Sequence, residues 1–272
     1  MLPIRVVEAG VVPYGIAEEW QRELHRRRVA QEIPDVLLLL EHPHVYTLGR
    51  RFNREHLLLD DRALAAAGIE VHECDRGGSV TYHGPGQLVG YPIIDLRPRP
   101  AGEEEPGRPD PIRYLRTLEE ALIRAVRSLG VIASRRPGPP ALTGVWVGDA
   151  KLASIGVHIG RGVSRHGFAL NVGTDLSYFE GIVACGIDGV RMTSLAKLRC
   201  EDVPIGQVRR AVVERLSELL HRRPVPATPD DLGLAALGVP VEDGARVIEL
   251  RSVRSPRGAS ELAHPEQGAG GH

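Results

Sequence analysis

The three cysteines of this chain are the side chains best suited to covalent chemistry, because a thiolate is a strong nucleophile. Cys74 stands between two acidic residues, whose charges oppose thiolate formation, so a structural role is predicted for it. Cys200 follows two basic residues, yet no adjacent glycine would let a substrate approach it. Cys185 follows an apolar run and precedes Gly186, which predicts a turn with backbone N–H groups free for an oxyanion hole. A buried, inert cysteine remains the alternative for Cys185.

A stretch rich in glycine and proline, residues 76–92, combines turn formers with hydrogen-bonding side chains. Residues 80–82 and 88–94 are predicted strands, joined by a turn. The pair Gly77-Gly78 indicates a backbone that another group approaches closely. Three later glycines have the spacing G-x-G-x-x-x-G and precede a strand-like run, so a dinucleotide-binding loop at a helix start is rejected. A hairpin that only turns the chain is the alternative interpretation.

Five separate segments in one order resemble the lipoyl(octanoyl) transferase family, and the resemblance extends from about Val36 to Leu195. The segments are HPHVYTLG at 42–49, RGGSVTYHGPGQLVGYP at 76–92, KLASIGV at 151–157, HGFALNV at 166–172 and ACGI at 184–187. Enzymes of this family move an octanoyl group from acyl carrier protein to a lysine of a lipoyl domain. The resemblance implies the same activity here, without a cofactor or a metal.

The resemblance assigns the acyl-thioester intermediate to Cys185 and the role of its partner to Lys151. Ala184 stands where the family commonly has Pro, a departure that bears on loop rigidity and leaves the sulfur in place. In a strand over residues 151–159, Lys151 would share one face with apolar residues at every second position. Burial there would disfavour the ammonium form and make the amine usable as a base. A strand-edge lysine that extends to water is the alternative.

The same resemblance predicts substrate contacts from three segments that contain small residues and glycines. Ordinary strand packing is the alternative for any one of these residues. His83 would orient a water or the incoming amine, or would brace the turn at Gly84. The predicted substrate-contact residues are Arg76, Gly77, Gly78, Ser79, Val80, Thr81, Tyr82, His83, Ser154, Ile155, Gly156, Gly167, Phe168 and Ala169.

The composition excludes several classes of protein. The net charge of −1 over 272 residues gives no global basic field, so nucleic acid is not an expected partner. We expect no signal peptide and no membrane span, because no apolar run is long enough. Three cysteines do not form a disulfide framework, which fits the cytoplasm. His42 and His44 lack a second ligand pair, so no metal site is expected there.

The alternation of strands with long helices predicts an α/β or α+β fold, and the hairpin favours a mixed sheet. The resemblance implies the catalytic domain of the biotin and lipoate protein ligases, with the site on one sheet face. Predicted strands span 4–7, 35–41, 69–75, 80–82, 88–94, 143–147, 152–159 and 168–172, and predicted helices span 17–30, 62–67, 111–129 and 205–220.

We divide the chain into a catalytic domain at 1–222, a small C-terminal extension at 223–253 and a tail at 254–272. A linker is predicted to begin at residues 222–224, and a surface loop is predicted at 97–111. The tail is rich in Gly, Ser, Pro and Glu, so disorder is expected.

Three functions are compatible with these sequence features. The leading hypothesis is an acyltransferase that takes octanoate from octanoyl-acyl carrier protein and delivers it to lipoyl domains of 2-oxoacid dehydrogenases and to the glycine cleavage H protein. An ATP-dependent lipoate or biotin ligase of the same fold is the alternative enzyme, although the motif cysteine would then be superfluous. The third is a non-catalytic acyl-carrier-binding protein with Cys185 buried. Arg50, Arg51 and Arg54 are candidates for docking the acidic carrier.

Overall fold

The computed structural model describes residues 1–97, 107–138, 142–187 and 189–237. The chain divides into two compact units, Met1–Glu242 and Asp243–His272. All elements described below belong to the first unit. The predicted tail at 254–272 and most of the predicted extension lie outside the described residues, as does most of the predicted surface loop, so the three-part division remains a prediction.

Eleven strands form two sheets in the described part of the chain. They are β1 (Leu2–Val11), β2 (Asp35–Glu41), β3 (Val45–Leu48), β4 (Glu70–Glu73), β5 (Val80–His83), β6 (Gln87–Ile93), β7 (Gly144–Val147), β8 (Ala150–Gly160), β9 (Val163–Asn171), β10 (Arg191–Met192) and β11 (Arg222–Ala227). The larger sheet has the order β10-β8-β9-β6-β2-β1-β11, with β7 also paired to β8. The smaller sheet has the order β4-β3-β5.

Both sheets are mixed, as predicted. In the larger sheet, β8, β9, β6 and β2 are antiparallel in succession, whereas β1 pairs in parallel with both β2 and β11. In the smaller sheet, β3 is parallel to β4 and antiparallel to β5. The predicted hairpin is therefore split, because β5 belongs to the smaller sheet and β6 to the larger one.

Over the ranges that the structure describes, five α-helices accompany the sheets: α1 (Tyr14–Val29), α2 (Asp61–Ala66), α3 (Pro111–Ser128), α4 (Leu195–Arg199) and α5 (Ile205–Leu219). Leu38 and Leu40 of β2 pack in the same cluster as the apolar face of α1. Leu37 and Leu39 pack in the opposite cluster, with α3 and α5. Successive strand residues point to opposite faces, so one apolar strand builds both cores of this three-layer arrangement.

The start of α3 shows how the sequence fixes a helix. Asp110 accepts a hydrogen bond from the backbone N–H of Arg113, and Pro111 occupies the first turn. Both features are favoured at a helix N-terminus. Helical spacing then places Leu118 and Leu122 on the buried face, as the apolar pattern predicted.

The predicted linker at residues 222–224 is wrong, because these residues begin strand β11. Ile4 of β1 is the register partner of Pro224, and Arg222 Nε donates to Asp35 Oδ2 at 2.7 Å. Strand β11 contains two prolines, a composition that is typical of a linker. A proline lacks an N–H donor, and a strand at the end of a sheet tolerates that loss.

None of the helices described is both long and apolar enough to cross a membrane.

Candidate active site

A cavity of about 580 Å³ lies where the segment 76–83 meets strands β8 and β9. Thirteen of the fourteen predicted substrate-contact residues line it, and Tyr82 is the exception. Lys151 and Val157 also line the cavity. The structure therefore brings the segment 76–83 together with two segments of the β8–β9 hairpin that are far from it in sequence. Their contact with substrate remains a prediction.

Glycines permit the close crossing that forms this cavity. The backbone N–H of Gly77 donates to the carbonyl of Val157 at 3.0 Å. This hydrogen bond joins residues 76–83, here called the central segment, to β8. A Cβ atom on Gly156 would lie 2.7 Å from the carbonyl oxygen of Gly77. No larger residue fits there without a backbone shift. The close approach predicted from Gly77-Gly78 is confirmed.

Arg76 fixes the central segment to the smaller sheet. Its side chain is buried, and its Nη2 donates to the carbonyl of Thr47 at 2.5 Å and to Thr47 Oγ1 at 2.8 Å. Its Nη1 donates to the carbonyl of Gly77 at 3.0 Å. The guanidinium thus satisfies backbone carbonyls on both sides of the loop, which holds the cavity wall in one conformation.

Lys151 lies in the cavity wall and is only 1% exposed. Its Nζ is 5.3 Å from the ring centre of Trp146 on the neighbouring strand β7, within the range of a cation–π contact. The later β8 residues Ser154, Ile155, Gly156 and Val157 line the same cavity. The alternative of a lysine that extends to water is excluded by this burial.

The turn that carries Cys185 is a short 3₁₀ helix, Ala184–Gly186. Gly186 has φ +67°, a left-handed conformation that favours glycine, so the predicted turn is confirmed. The N–H groups of Gly186 and Ile187 donate to the carbonyls of Val183 and Ala184, so these two N–H groups are not free as predicted. The backbone N–H of Val183 donates to the carbonyl of His56 at 2.8 Å. A Cβ atom on Gly186 would lie 3.3 Å from the Cβ of Ser79. The Cys185 turn therefore packs against a residue that lines the cavity.

The other two cysteines are not among the residues that line the cavity. Cys74 is half-buried, and its thiol donates to the carbonyl of Leu48 at 3.4 Å. Cys200 is exposed at the C-terminus of α4, with φ +55°. Both therefore have the structural or surface positions that the sequence favoured.

His83 lines the cavity, and both of its ring nitrogens contact side chains that do not line it. Its Nδ1 donates to Gln87 Oε1 at 2.7 Å, and its Nε2 lies 3.4 Å from Thr47 Oγ1. Burial, the largest effect, together with nearby positive groups, holds the pKa of His83 well below its ordinary value. The ring is therefore neutral at pH 7 and is oriented by fixed partners.

Asp75 and His166 form a second pair at the cavity wall that sequence reasoning missed. His166 Nε2 donates to Asp75 Oδ1 at 2.7 Å, and Arg165 also pairs with this carboxylate. The hydrogen bond from His166, with the positive charges nearby, holds the pKa of Asp75 well below its usual range. Because Asp75 stays ionised, His166 Nε2 must carry the proton. The one available signal was the histidine that opens HGFALNV.

Tyr82 lies on the other face of β5. Its ring stacks on Tyr178 with the ring centres 5.0 Å apart, and its hydroxyl is 2.8 Å from His44 Nδ1. Alternation along the strand separates Tyr82 from Thr81 and His83, which line the cavity.

The cavity also includes two exposed arginines, Arg50 and Arg51. Their backbone N–H groups donate to the carbonyls of Arg76 and Gly78, which fixes them beside the central segment. Arg54 does not line the cavity. Among the described residues, no group of three or more His, Cys, Asp or Glu side chains is arranged to hold a metal ion.

The family model described as the lipoyl protein ligase A/B catalytic domain matches residues 13–217. This chain belongs to that family. An octanoyltransferase of Rubrobacter xylanophilus is 47% identical over 213 residues, which cover 78% of this chain and 90% of that protein. An octanoyltransferase of Acidobacterium capsulatum is 50% identical over 198 residues, which cover 71% and 79% of the two chains. Within the family, this chain is thus an acyltransferase that transfers octanoyl groups, as its motifs predicted.

Solved structures of the family support the fold. A bipartite lipoate protein ligase of Thermoplasma acidophilum superposes with a TM-score of 0.62 at 21% identity, covering 87% of this chain and 91% of that chain. A lipoate-protein ligase A bound with ATP gives the same TM-score and identity, covering 87% and 93%. The predicted ligase-like α/β fold is therefore confirmed, and at this identity the likeness concerns the fold alone.

Proposed function

We propose that octanoyl transfer proceeds through a thioester on Cys185, with Lys151 as the proton-transferring partner. One observation carries this proposal: Lys151 is buried in the wall of the cavity against which the Cys185 turn packs. Cys74 and Cys200 are not among the residues that line that cavity.

The reaction then has two balanced steps. The thiolate of Cys185 attacks the thioester carbonyl of the donor, a new C–S bond forms, and the carrier thiolate leaves with the electron pair of the broken C–S bond. The amine of the acceptor lysine next attacks the enzyme thioester, forms an amide and releases the Cys185 thiolate. Lys151 takes the thiol proton in the first step and gives it to the leaving carrier thiolate. In the second step it takes the proton of the attacking amine and returns it to the Cys185 thiolate.

The donor in this proposal is octanoyl-acyl carrier protein, and the exposed arginines at the cavity suit an acidic carrier. Arg50 and Arg51 are held beside the central segment by their backbone N–H groups, so their charges lie close to the cavity. Electrostatic attraction of this kind mainly raises the association rate. Acceptors would be proteins with lipoyl domains, among them 2-oxoacid dehydrogenases and the glycine cleavage H protein. We place the reaction in the reducing cytoplasm.

The alternative is an ATP-dependent ligase, since the superposed structures with this fold are ligases. Those proteins are 21% identical to this chain, whereas the octanoyltransferases are 47–50% identical. A thioester donor already carries an activated acyl group, so the proposed route needs no nucleotide.

Intact mass spectrometry after mixing with octanoyl-acyl carrier protein, without nucleotide, separates these functions. We expect one octanoyl adduct on the wild type and none on Cys185→Ala, with the adduct lost when a lipoyl domain is added. An absolute requirement for ATP would favour the ligase. An adduct that never forms would favour a carrier-binding protein.

A further inference from the structure

A line of buried polar side chains runs behind the cavity wall from the central segment to the backbone of Lys151. Gln87 on β6 and Asn171 on β9 are direct register partners in the sheet. Both side chains are about 1% exposed, and neither lines the cavity. The two reaction steps above give them no role, although burying two amides is costly unless their hydrogen bonds are made.

Backbone carbonyls fix the orientation of both amides. The carbonyl of Thr193 can only accept, so Asn171 Nδ2 donates to it at 3.0 Å. Asn171 Oδ1 therefore faces Gln87 Nε2, also at 3.0 Å, and Gln87 Nε2 donates in addition to the carbonyl of Tyr82 at 3.1 Å. Gln87 Oε1 is then left to accept from His83 Nδ1.

A neutral His83 extends this line to the smaller sheet. With its proton on Nδ1, the ring presents Nε2 as an acceptor toward Thr47 Oγ1 at 3.4 Å. Thr47 Oγ1 in turn accepts from Arg76 Nε at 3.2 Å and Nη2 at 2.8 Å. Each hydrogen bond in the line thus pairs a donor with an acceptor, and the backbone carbonyls at its ends fix one orientation for both amides.

The other end of the line reaches Lys151 through the backbone. The N–H of Thr193 donates to the carbonyl of Lys151 at 3.0 Å, and Met192 is the register partner of Lys151 in the parallel pair of β10 and β8. Strand β10 follows the Cys185 turn in the chain. The backbone of Thr193 therefore donates a hydrogen bond to Lys151 and accepts one from Asn171.

We propose that Asn171, oriented by Gln87, is a positioning residue for acyl transfer. By holding the Thr193 carbonyl, it fixes the strand that follows the Cys185 turn against the strand that carries Lys151. This inference rests on the proposed roles of Cys185 and Lys151. Reacting groups must be held within a fraction of an ångström, and a displacement of about 1 Å can cost roughly a hundred-fold in rate.

The test uses Asn171→Ser, which is too short to reach both partners, and Gln87→Met, which keeps the volume and removes the hydrogen bonds. Gln207→Met on the exposed face of α5 is the matched control. Single-turnover acylation is measured against pH, per folded molecule, with donor concentration varied. We expect the maximal rate of both variants to fall about ten-fold to a hundred-fold with donor KM nearly unchanged. The pH at half-maximal rate should move, because the thiol and the amine no longer meet correctly.

The outcomes separate this inference from the proposed function. If the wild type forms no adduct on Cys185, the proposed function fails first. If the wild type is acylated and both variants keep its rate per folded molecule and its pH midpoint, the positioning role is overturned. A loss of rate that only follows a loss of folded protein also overturns it. If Asn171→Ser does not fold, Gln87→Met alone decides between these outcomes.

Discussion

At the residue scale, the chain offers three thiols, and their positions differ in ways that chemistry can test. Cys74 is half-buried, and its thiol donates a hydrogen bond to the carbonyl of Leu48. Cys200 is exposed and directly follows α4. Neither lines the cavity, whereas the Cys185 turn packs against Ser79, which does.

Replacing either of the two thiols that do not belong to the Cys185 turn should therefore leave octanoyl transfer nearly intact. We expect Cys74→Ser and Cys200→Ser to keep the wild-type rate within about two-fold, the range of a surface change that leaves the transition state untouched. Steady-state transfer to a lipoyl domain measures this. Loss of the acyl-enzyme in Cys200→Ser would show that a different thiol is the nucleophile.

Sequence could predict the cavity residues because they come in contiguous motifs whose family role carries over residue by residue. Tyr82 lies inside such a motif, so the motif predicts a substrate contact for it. Alternation along β5 instead places its ring on the strand face opposite to Thr81 and His83, where it stacks on Tyr178. The pairs Asp75–His166 and Gln87–Asn171 join segments far apart in sequence. No local pattern reveals such contacts, so only the fold could supply them.

At the element scale, the cavity depends on a close crossing between the central segment and β8. The loop is hydrogen-bonded to β8 through the N–H of Gly77, directly beside Gly156. A side chain at this crossing would separate the two cavity walls and change the space available to an acyl chain.

Gly156→Ala should therefore lower octanoyl transfer by at least about ten-fold, because even small displacements of reacting groups are costly. The new Cβ would lie 2.7 Å from a backbone oxygen, which must move. The matched control is Gly173→Ala, where a Cβ would meet nothing within 4 Å. Both variants are compared by kcat/KM and melting temperature. Equal activity of the two variants would refute the importance of the crossing.

Long periodic elements were predicted well, and short or unusual ones were not. The helix predicted at 111–129 corresponds to α3 (Pro111–Ser128), since capping and apolar spacing agree there. Strand β10 has two residues and α4 has five, too few for any periodicity to appear. Strand β11 has the composition of a linker because two of its six residues are prolines.

At the scale of the whole molecule, several buried histidines make the free energy of unfolding depend on pH. Burial lowers the pKa of His42 to about 4, and it lowers the pKa of His166 as well. Burial also holds the pKa of His83 well below its ordinary value, as described above. Because these pKa values lie below the ordinary value of about 6.5, the unfolded chain binds more protons in acid. The stability they contribute is complete above about pH 6.5 and is lost as the pH falls.

His42→Asn should make the stability less dependent on pH between about 6.5 and 4. Each buried neutral histidine contributes a slope of up to about 1.4 kcal/mol per pH unit, so the variant should lose roughly that much slope. His221→Asn, at an exposed position, is the control. Urea unfolding at several pH values gives the free energies. An unchanged slope in His42→Asn would mean that its protonation does not oppose folding.

The central claim is that Cys185 and Lys151 act together in one cavity, and single-turnover acylation against pH tests it most directly. For the wild type, the rate should reach its plateau below about pH 8.5, where a free thiol ionises. Lys151→Ala should be slower by about a hundred-fold or more, the contribution typical of a general base, with its plateau moved to higher pH. Cys185→Ala should form no acyl-enzyme. An acyl-enzyme in Cys185→Ala, or an unchanged pH profile in Lys151→Ala, would contradict the account.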